Sequence, residues 1–286
     1  MIKVQFMKIL VAEEAGFCFG VKRALKLINE YLKKGNKIQT FGPLIHNVPV
    51  LKNLAAQGIG SVASVAAIEK NKTLCIRTHG IDREVEKYLQ KKGITTLDAT
   101  CPLVKKEQKI IAQLQAQKAN ILIVGDKNHP EIIAAQSYAK KVTIVNSLAQ
   151  AKALPDCKQI CVVAQTTLNT EFFKEVVAVL LAKAEKLTIF NTICQATKDR
   201  QQAVRKLAPK VDAIIVVGSK ISSNTKKLFH IAKEKNKNSL HIETCADLQK
   251  PRMLAKIAKF TSIGITAGAS TSPEELDCVK NFLQKL

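Results

Sequence analysis

The sequence contains no tryptophan, and aromatic residues make up only 5% of its 286 residues. Proteins that bind single-stranded nucleic acid without sequence preference stack bases on aromatic side chains. The scarcity of aromatic residues therefore disfavours that class. The chain also lacks any run of four or more basic residues, which would mark a nucleic-acid-binding tail.

No apolar stretch reaches the roughly 18 residues that span a bilayer. The short apolar run near the start is followed by Glu13 and Glu14, which is unlike a secretory signal or an Arg- and Ser-rich transit peptide. Eight cysteines without an export signal argue against a disulfide framework. We therefore expect a cytoplasmic protein with reduced thiols and without membrane insertion.

The charge balance is strongly basic, with a formal net charge of +22 at pH 7. Such a charge suits nucleic acid, an anionic membrane surface or a small anionic substrate. Because many of the lysines are scattered over stretches with a helical pattern, the charge also fits a soluble, Lys-rich chain without such a partner. The apolar content of 47% is enough for one large core or for two to three smaller modules.

Three cysteines, Cys18, Cys101 and Cys194, occupy the same kind of place. Each follows an apolar run that is typical of a strand and precedes a stretch with a helical pattern. A cysteine at that junction faces the positive end of a helix, where a thiolate is favoured. Pro102 suits the first helical position. Three cysteines in one repeated setting indicate a shared ligand.

Polar residues recur at fixed distances from these cysteines. A strand-like run and a polar loop follow each helix, so that His46, His129 and Ser222 each come 28 positions after their cysteine. A third apolar run in each copy ends in a second polar loop. The second loops contain His79 in the first copy, Gln165, Thr166 and Thr167 in the second, and Ser270 in the third.

This periodicity predicts an α/β protein of three pseudo-repeated modules with parallel sheets. The modules are residues 19–100, 101–190 and 191–286. The third copy lacks its last strand, so we expect the N-terminal segment 1–18 to complete it, with residues 8–12 paired into its sheet. Ligands of parallel sheets bind beyond the carboxyl ends of the strands. The three modules should therefore face one central cavity.

Three converging thiolates are one short of a closed structural zinc site or an ordinary iron–sulfur cluster. A cubane with one iron that has no protein ligand, a three-cysteine zinc site with an open position, or three ordinary buried thiols all fit the count. The remaining cysteines fall inside predicted strands, a loop or helix-like stretches, and we expect them to be structural: Cys75, Cys157, Cys161, Cys245 and Cys278.

The polar loops describe a pocket for a small, strongly anionic ligand, because imidazoles, hydroxyls, amides and helix N-termini all donate to anions. The chain has neither a Walker loop nor a GxGxxG fingerprint. Glu131, which follows His129 at the start of a helix, is either a residue that compensates the helix dipole or a proton donor in the cavity. His230 and His241 have no repeat partner, so we expect them to be structural.

These motifs resemble the 4-hydroxy-3-methylbut-2-enyl diphosphate reductases, iron–sulfur oxidoreductases acting on CH or CH2 groups at the end of the non-mevalonate isoprenoid pathway. The matching motifs run nearly end to end in family order: GFCFGV, PLIHN, RTHG, DATCPLV, NHPE, AQTTL, NTICQAT, SSN and TAGAS.

The resemblance implies a trefoil around one 4Fe–4S cluster that Cys18, Cys101 and Cys194 hold, with one iron open to polarise the allylic oxygen. Two-electron reduction would remove the hydroxyl group and give isopentenyl and dimethylallyl diphosphates. Glu131, with His129 and Thr166, would supply the proton. The predicted substrate-binding residues are His46, His79, His129, Gln165, Thr166, Thr167, Ser222, Ser223, Asn224 and Ser270. The implied electron donor is ferredoxin or flavodoxin, and we expect a monomer or homodimer.

Two other interpretations compete with this one. Quinolinate synthase also resembles a three-module protein with three cysteines, but an arginine-rich pocket would suit its carboxylate substrates. Here the loops at the strand ends contain His, Ser, Thr and Asn, with Arg77 as the exception. A non-catalytic protein that binds nucleic acid would explain the charge but not the equal spacings, and we therefore expect no nucleic-acid partner.

Overall fold

Strands and α-helices alternate along residues 7–286, which the structure, a computed structural model, describes. In chain order the strands are β1 (Lys8–Val11), β2 (Ile38–Phe41), β3 (Gly60–Val62), β4 (Thr73–Ile76), β5 (Thr96–Asp98), β6 (Ile121–Val124), β7 (Thr143–Val145), β8 (Cys157–Ala164), β9 (Ala184–Phe190), β10 (Ala213–Val217), β11 (Ser239–Ile242) and β12 (Ser262–Ala267). Residues 1–6, the beginning of the segment predicted to complete the third module, lie outside the described residues.

The α-helices connect these strands. They are α1 (Phe19–Lys33), α2 (Val48–Ala56), α3 (Arg83–Lys91), α4 (Pro102–Ala116), α5 (Pro130–Gln136), α6 (Leu148–Lys152), α7 (Thr170–Leu181), α8 (Gln195–Leu207), α9 (Ser223–Lys235), α10 (Pro251–Ile257) and α11 (Pro273–Gln284). Within residues 7–286, none of these helices combines the length and the apolar character that crossing a bilayer requires.

The strands form three sheets of four strands, and every pairing within them is parallel. The strand orders are β3-β2-β4-β5, β7-β6-β8-β9 and β11-β10-β12-β1. Written in this way, the sheets correspond strand for strand. The predicted α/β fold with three repeated parallel sheets is therefore confirmed.

The N-terminal strand completes the third sheet. In β1, Lys8 lies opposite Ser262 of β12, and Val11 lies opposite Ile265. The N–H of Ala12 continues the ladder by donating to the carbonyl of Ile265 at 2.8 Å. The predicted pairing of residues 8–12 with the third sheet is confirmed, because β1 takes the position that β5 and β9 take in the other two sheets.

The central strands are buried on both faces, which explains why they are continuously apolar. In β6, Leu122 and Val124 pack into a core on one face of the sheet, whereas Ile121 and Ile123 pack into a second core on the other face. Successive side chains of a strand point to opposite faces, so a strand covered on both sides alternates between two cores. The residues of β10 divide between two cores in the same way.

The chain forms two compact units. The first unit contains residues 7–19, 46–50 and 195–286, and thus the third sheet. The second unit contains residues 20–45 and 51–194, and thus the first and second sheets. The module boundaries derived from the repeat, and the placement of the modules around a central cavity, stay predictions.

Two cysteines form a disulfide that the sequence analysis did not expect. Cys245, in a 3-10 segment after β11, is bonded to Cys278 of α11, with a Cα–Cα distance of 5.9 Å and a sequence separation of 33 residues. The expectation of reduced thiols is therefore wrong for this pair. Both elements pack over the same apolar core of the third sheet. That packing brings together two side chains that no sequence spacing connects.

Replacing Cys278 with Ser removes this cross-link and should lower the free energy of unfolding by about 2–4 kcal/mol, because a disulfide restricts the unfolded chain. Urea denaturation measures the change. The matched control is Cys157→Ser, which alters a free, half-buried thiol on β8 and should change stability far less. Equal midpoints for Cys278→Ser and the unaltered protein would show that the cross-link contributes nothing.

Candidate functional site

The three cysteines of the repeat are held by the same backbone interaction. Cys18, Cys101 and Cys194 each immediately precede a long helix, and none of them is in a disulfide. Each N–H donates at 3.0 Å to a carbonyl in the second polar loop of a sheet, and the accepting residues are Ala269, Thr78 and Thr166, respectively. The predicted position of these cysteines between a strand and a helix is confirmed, and each is tied to a second polar loop.

The cysteines outside the repeat that form no disulfide lie in different surroundings. Cys75 and Cys161 are buried inside β4 and β8. Burial, and then the charge of Asp98, raise the pKa of Cys75 to about 12, so that this thiol stays protonated. The predicted location of Cys75 and Cys161 inside strands is confirmed, and their structural role stays a prediction. Cys157 is half-buried at the start of β8.

A buried carboxyl group is tied to one of the cysteine loops in the second unit. Glu131 is 1% exposed. Its Oε1 accepts from the Thr166 N–H at 2.6 Å, and its Oε2 accepts from the Thr166 hydroxyl at 2.8 Å. The Thr166 carbonyl in turn accepts from the Cys194 N–H. One residue therefore connects the acid to the cysteine, and the carboxyl has a single fixed orientation.

Histidines complete this part of the second unit. His129 is the N-cap of α5, and its Nδ1 accepts from the Glu131 N–H at 3.2 Å. That bond leaves Nε2 to carry the proton of the neutral ring. The His79 ring lies perpendicular to the His129 ring, with 5.4 Å between their centroids. The second polar loop of the first sheet and the first polar loop of the second sheet therefore meet.

Gln165 connects the two polar loops of the second sheet. It is fully buried, its Oε1 accepts from the Asp126 N–H, and its Nε2 donates to the Thr167 hydroxyl, both at 3.0 Å. This side chain therefore positions Thr167 and the loop that leads to His129.

The first unit brings together its own polar loops. The Ser270 hydroxyl donates to the His46 carbonyl at 3.1 Å, and the Asn47 side chain donates to the Ser270 carbonyl at 2.5 Å. Ser222 caps α9, of which Ser223 is the first residue. The second polar loop of the third sheet therefore lies against the polar loop that contains His46.

Two asparagines of the first unit, Asn224 and Asn47, differ in their hydrogen bonding. Asn224 in α9 is 4% exposed, and its side-chain N–H groups make no hydrogen bond within the described residues, which leaves a buried donor for a ligand. In the first copy, Asn47 rather than His46 caps the helix, because its Oδ1 accepts from the Val50 N–H. The equal spacing of 28 therefore places His46 one residue before the cap, whereas His129 and Ser222 are themselves caps.

The predicted site residues are divided between the two units as follows. The second unit contains Cys101, Cys194, His79, His129, Glu131, Gln165, Thr166 and Thr167, and the first contains Cys18, His46, Ser222, Ser223, Asn224 and Ser270. All of them lie at or just beyond the carboxyl ends of strands, where parallel sheets bind ligands.

Sequence reasoning missed a glycine in each copy. Gly42, Gly125 and Gly218 come 24 positions after the three cysteines, and their N–H groups donate at 2.8–2.9 Å to the last carbonyl of the neighbouring strand. Gly218 has a φ of 139°, and an added Cβ would lie 2.6 Å from the Thr271 hydroxyl. Only glycine fits there. The common spacing was the signal that could have identified these positions.

Two arginines support the cysteine loops and were also missed. Arg200 of α8 is 2% exposed and donates to the Gly16 carbonyl at 2.8 Å, two residues before Cys18. Arg23 of α1 donates to the Thr100 carbonyl at 3.1 Å, one residue before Cys101. No sequence pattern distinguishes these arginines from the many basic residues on helix surfaces, since burial alone sets them apart.

Comparisons with known proteins agree on one family. A family model described as "LytB protein" matches residues 9–284. A relative from Aquifex aeolicus (strain VF5), named 4-hydroxy-3-methylbut-2-enyl diphosphate reductase, is 41% identical over 283 residues, which cover 97% of this chain and 96% of that protein. A relative of the same name from Thermoanaerobacter sp. (strain X514) is 42% identical over 270 residues, covering 93% and 92%.

Solved structures are similar as well. One described as (E)-4-hydroxy-3-methyl-but-2-enyl diphosphate reductase, the terminal enzyme of the non-mevalonate pathway, has a TM-score of 0.69 and 40% identity, covering 98% of this chain and 100% of its own. The E-1-hydroxy-2-methyl-but-2-enyl-4-diphosphate reductase from Plasmodium falciparum has a TM-score of 0.90 and 30% identity, covering 97% and 88%.

The bond between Thr166 and Glu131 can be tested by Thr166→Val, which keeps the shape of the side chain but removes the hydroxyl donor. The free energy of unfolding should fall by about 1.5–3 kcal/mol, the usual contribution of a hydrogen bond to a charged group. Thr96→Val, at an exposed position of β5, is the matched control and should be nearly neutral. If the two variants were equally stable, the Thr166 hydroxyl would not hold Glu131.

Proposed function

The chain belongs to the LytB protein family, and from this membership we propose that it is a 4-hydroxy-3-methylbut-2-enyl diphosphate reductase. It reduces an allylic alcohol that carries a diphosphate. Two electrons and two protons are consumed, the C–O bond breaks, and the hydroxyl group leaves as water. Isopentenyl and dimethylallyl diphosphates are the products. The alternative of quinolinate synthase is set aside, because the relatives carry the name of the diphosphate reductase over nearly the whole chain.

The single observation that carries the proposal is the common anchoring of Cys18, Cys101 and Cys194. The three thiols are in no disulfide, are partly exposed, and are placed at helix N-termini by the same backbone bond. Sulfur donors of this kind suit an iron–sulfur cluster, and three of them leave one iron for a non-protein ligand. The residues therefore fit one 4Fe–4S cluster, which supplies electrons and Lewis-acid polarisation when it is bound.

The polar loops bind the diphosphate. The His46 and Ser270 loops lie against each other, and Asn224 has buried donors that no protein group occupies. The full set that we assign to substrate binding is His46, His79, His129, Gln165, Thr166, Thr167, Ser222, Ser223, Asn224 and Ser270. Binding energy from the diphosphate orients the small apolar part of the substrate, which has few other groups that the protein can bind.

Glu131 supplies the proton to the departing hydroxyl group. Its carboxyl is buried and oriented by two donors of Thr166, while His129 is bound to its backbone N–H. A proton donor must be held within hydrogen-bond reach of one position, and an acid fixed at both oxygens meets that requirement. His129 and Thr166 keep the acid in place.

The electron donor is ferredoxin or flavodoxin. Both have acidic surfaces, and the net charge of +22 favours encounter with an acidic partner. We assign the enzyme to the cytoplasm as a monomer or homodimer, and its modules, 19–100, 101–190 and 191–286 with the N-terminal strand, face one central cavity. Anaerobic purification with iron and sulfide counting, followed by spectra with the diphosphate substrate, tests the whole assignment.

Replacing Cys194 with Ser should prevent stable assembly of the cluster, because a hydroxyl is a poor ligand for iron in such a cluster. Iron and sulfide per chain, counted after anaerobic purification, should fall well below the values of the unaltered protein. Cys157→Ser, on β8, is the control and should leave both values unchanged. Full iron and sulfide content in Cys194→Ser would exclude Cys194 as a ligand.

Replacing Glu131 with Gln should leave iron content and substrate binding intact but lower kcat by about a hundredfold or more, as removal of a general acid does. The shape of the side chain and both Thr166 contacts can persist in part, so the loss reports on the proton. Glu171→Gln, at an exposed position of α7, is the control. Near-normal turnover of Glu131→Gln would remove Glu131 from the role of proton donor.

A further inference from the structure

A second acid lies beside Glu131 and is used by none of the interactions described so far. Glu107 of α4 is 0% exposed, although the two residues before it, Lys105 and Lys106, are exposed. Neither carboxyl oxygen of Glu107 receives a hydrogen bond from an N–H or O–H group of the described residues. A buried carboxylate without donors is strongly disfavoured.

The group next to Glu107 is the carboxyl of Glu131. The two lie within hydrogen-bonding reach, and burial, followed by the charge of Glu131, raises the pKa of Glu107 well above its usual range. The helices and strands packed most closely against α4 are α5, β6 and β8. Of these, β6 is entirely apolar, α5 contributes Glu131 and its cap His129, and Lys158 and Cys157 of β8 lie away at its exposed start. Glu131 is thus the charged group that acts on Glu107.

Two carboxyl groups approach this closely only when a proton lies between them. Glu131 receives two donors from Thr166, as a carboxylate acceptor does, whereas Glu107 receives none. The proton between them therefore belongs to Glu107. Its O–H is the donor, and a Glu131 oxygen is the acceptor.

The repeat shows that the fold does not need an acid at this position. Glu107 comes six positions after Cys101, and the residues six positions after the other two cysteines are Ala24 and Arg200. All three are buried, at 0%, 0% and 2% exposure. An apolar side chain and a cation occupy the equivalent positions. The packing of the helix therefore does not require an acid there, and the acid of the second copy is explained by its neighbour Glu131.

We propose that Glu107 is a positioning residue of the proton-donating site, a neutral buried acid whose O–H stabilises the charge that appears on Glu131 when Glu131 releases its proton. This inference rests on the proposed function. In each turnover Glu131 takes up one of the two protons that the reduction consumes and passes it to the hydroxyl oxygen of the substrate, which leaves as water. Glu131 thereby returns to the carboxylate form, and Glu107 keeps its own proton throughout. A donor that is in place before charge develops needs no reorganisation during the reaction.

Two variants of the cluster-loaded enzyme separate this role from a merely structural one. Glu107→Leu removes the donor and should lower kcat about ten- to a hundredfold, the loss of one hydrogen bond to a charged group, with KM and iron content unchanged. Glu107→Gln replaces the O–H with an N–H donor of the same shape and should restore most of kcat. Glu234→Gln, at an exposed position of α9, is the matched control.

Difference infrared spectra provide a readout that does not depend on turnover. The unaltered enzyme should show the C=O stretching band of a neutral carboxyl group, and Glu107→Gln should lose it, whereas the Glu234→Gln control should retain it. Retention of that band in Glu107→Gln, or an unchanged kcat in folded Glu107→Leu, would overturn the proposal. If Glu107→Leu fails to fold, Glu107→Gln tests the proposal by itself: it should lose the carboxyl band and keep most of kcat.

The infrared result also distinguishes a failure of the proposed reductase activity from a failure of the Glu107–Glu131 pair. An unaltered protein that loads its cluster but does not reduce the diphosphate would overturn the proposed function, and with it the catalytic role of Glu107. In that case the presence of the neutral carboxyl band would still show that Glu107 and Glu131 share a proton, and its absence would refute the pair itself.

Discussion

The hydrogen bond from each cysteine N–H to a polar-loop carbonyl is the interaction on which the remaining architecture depends. It is made three times, at Cys18, Cys101 and Cys194, and each time it ties the start of a helix to the end of a neighbouring strand. Buried backbone donors must be satisfied, so the position of each thiol follows from the ladder of its sheet. The three cysteines are thereby positioned by helices and strands.

Burial gives the polar groups near these cysteines their chemical character. Glu131, Thr166 and Gln165 are almost inaccessible, and their hydrogen bonds connect two loops and a cysteine into one network. In such a low-dielectric environment these hydrogen bonds hold the carboxyl group of Glu131 firmly in one orientation. The same environment keeps Glu107 neutral, so its carboxyl group can donate a hydrogen bond to Glu131 without adding a second charge.

The three copies share a backbone plan but differ in chemistry. The sheets have the same strand order, and glycines recur at the same distance from the cysteines. The side chains at equivalent places are nevertheless free to diverge, as Ala24, Glu107 and Arg200 show. Repetition supplies the same anchoring of a cysteine three times, and the differences between copies supply an acid in one, supporting arginines in others and a disulfide in the third.

By itself, the sequence determined the α/β class, the three parallel sheets, the completion of the third by residues 8–12, and the location of the polar residues at strand ends. These follow from hydrophobic periodicity and equal spacings, which are local properties of the chain. Only the tertiary structure decided that Cys245 meets Cys278, that Asn47 and not His46 is the cap, that Arg200 is buried against Gly16, and that Glu107 faces Glu131. These contacts join residues far apart in the chain or depend on which side of a helix is covered, and packing alone selects them.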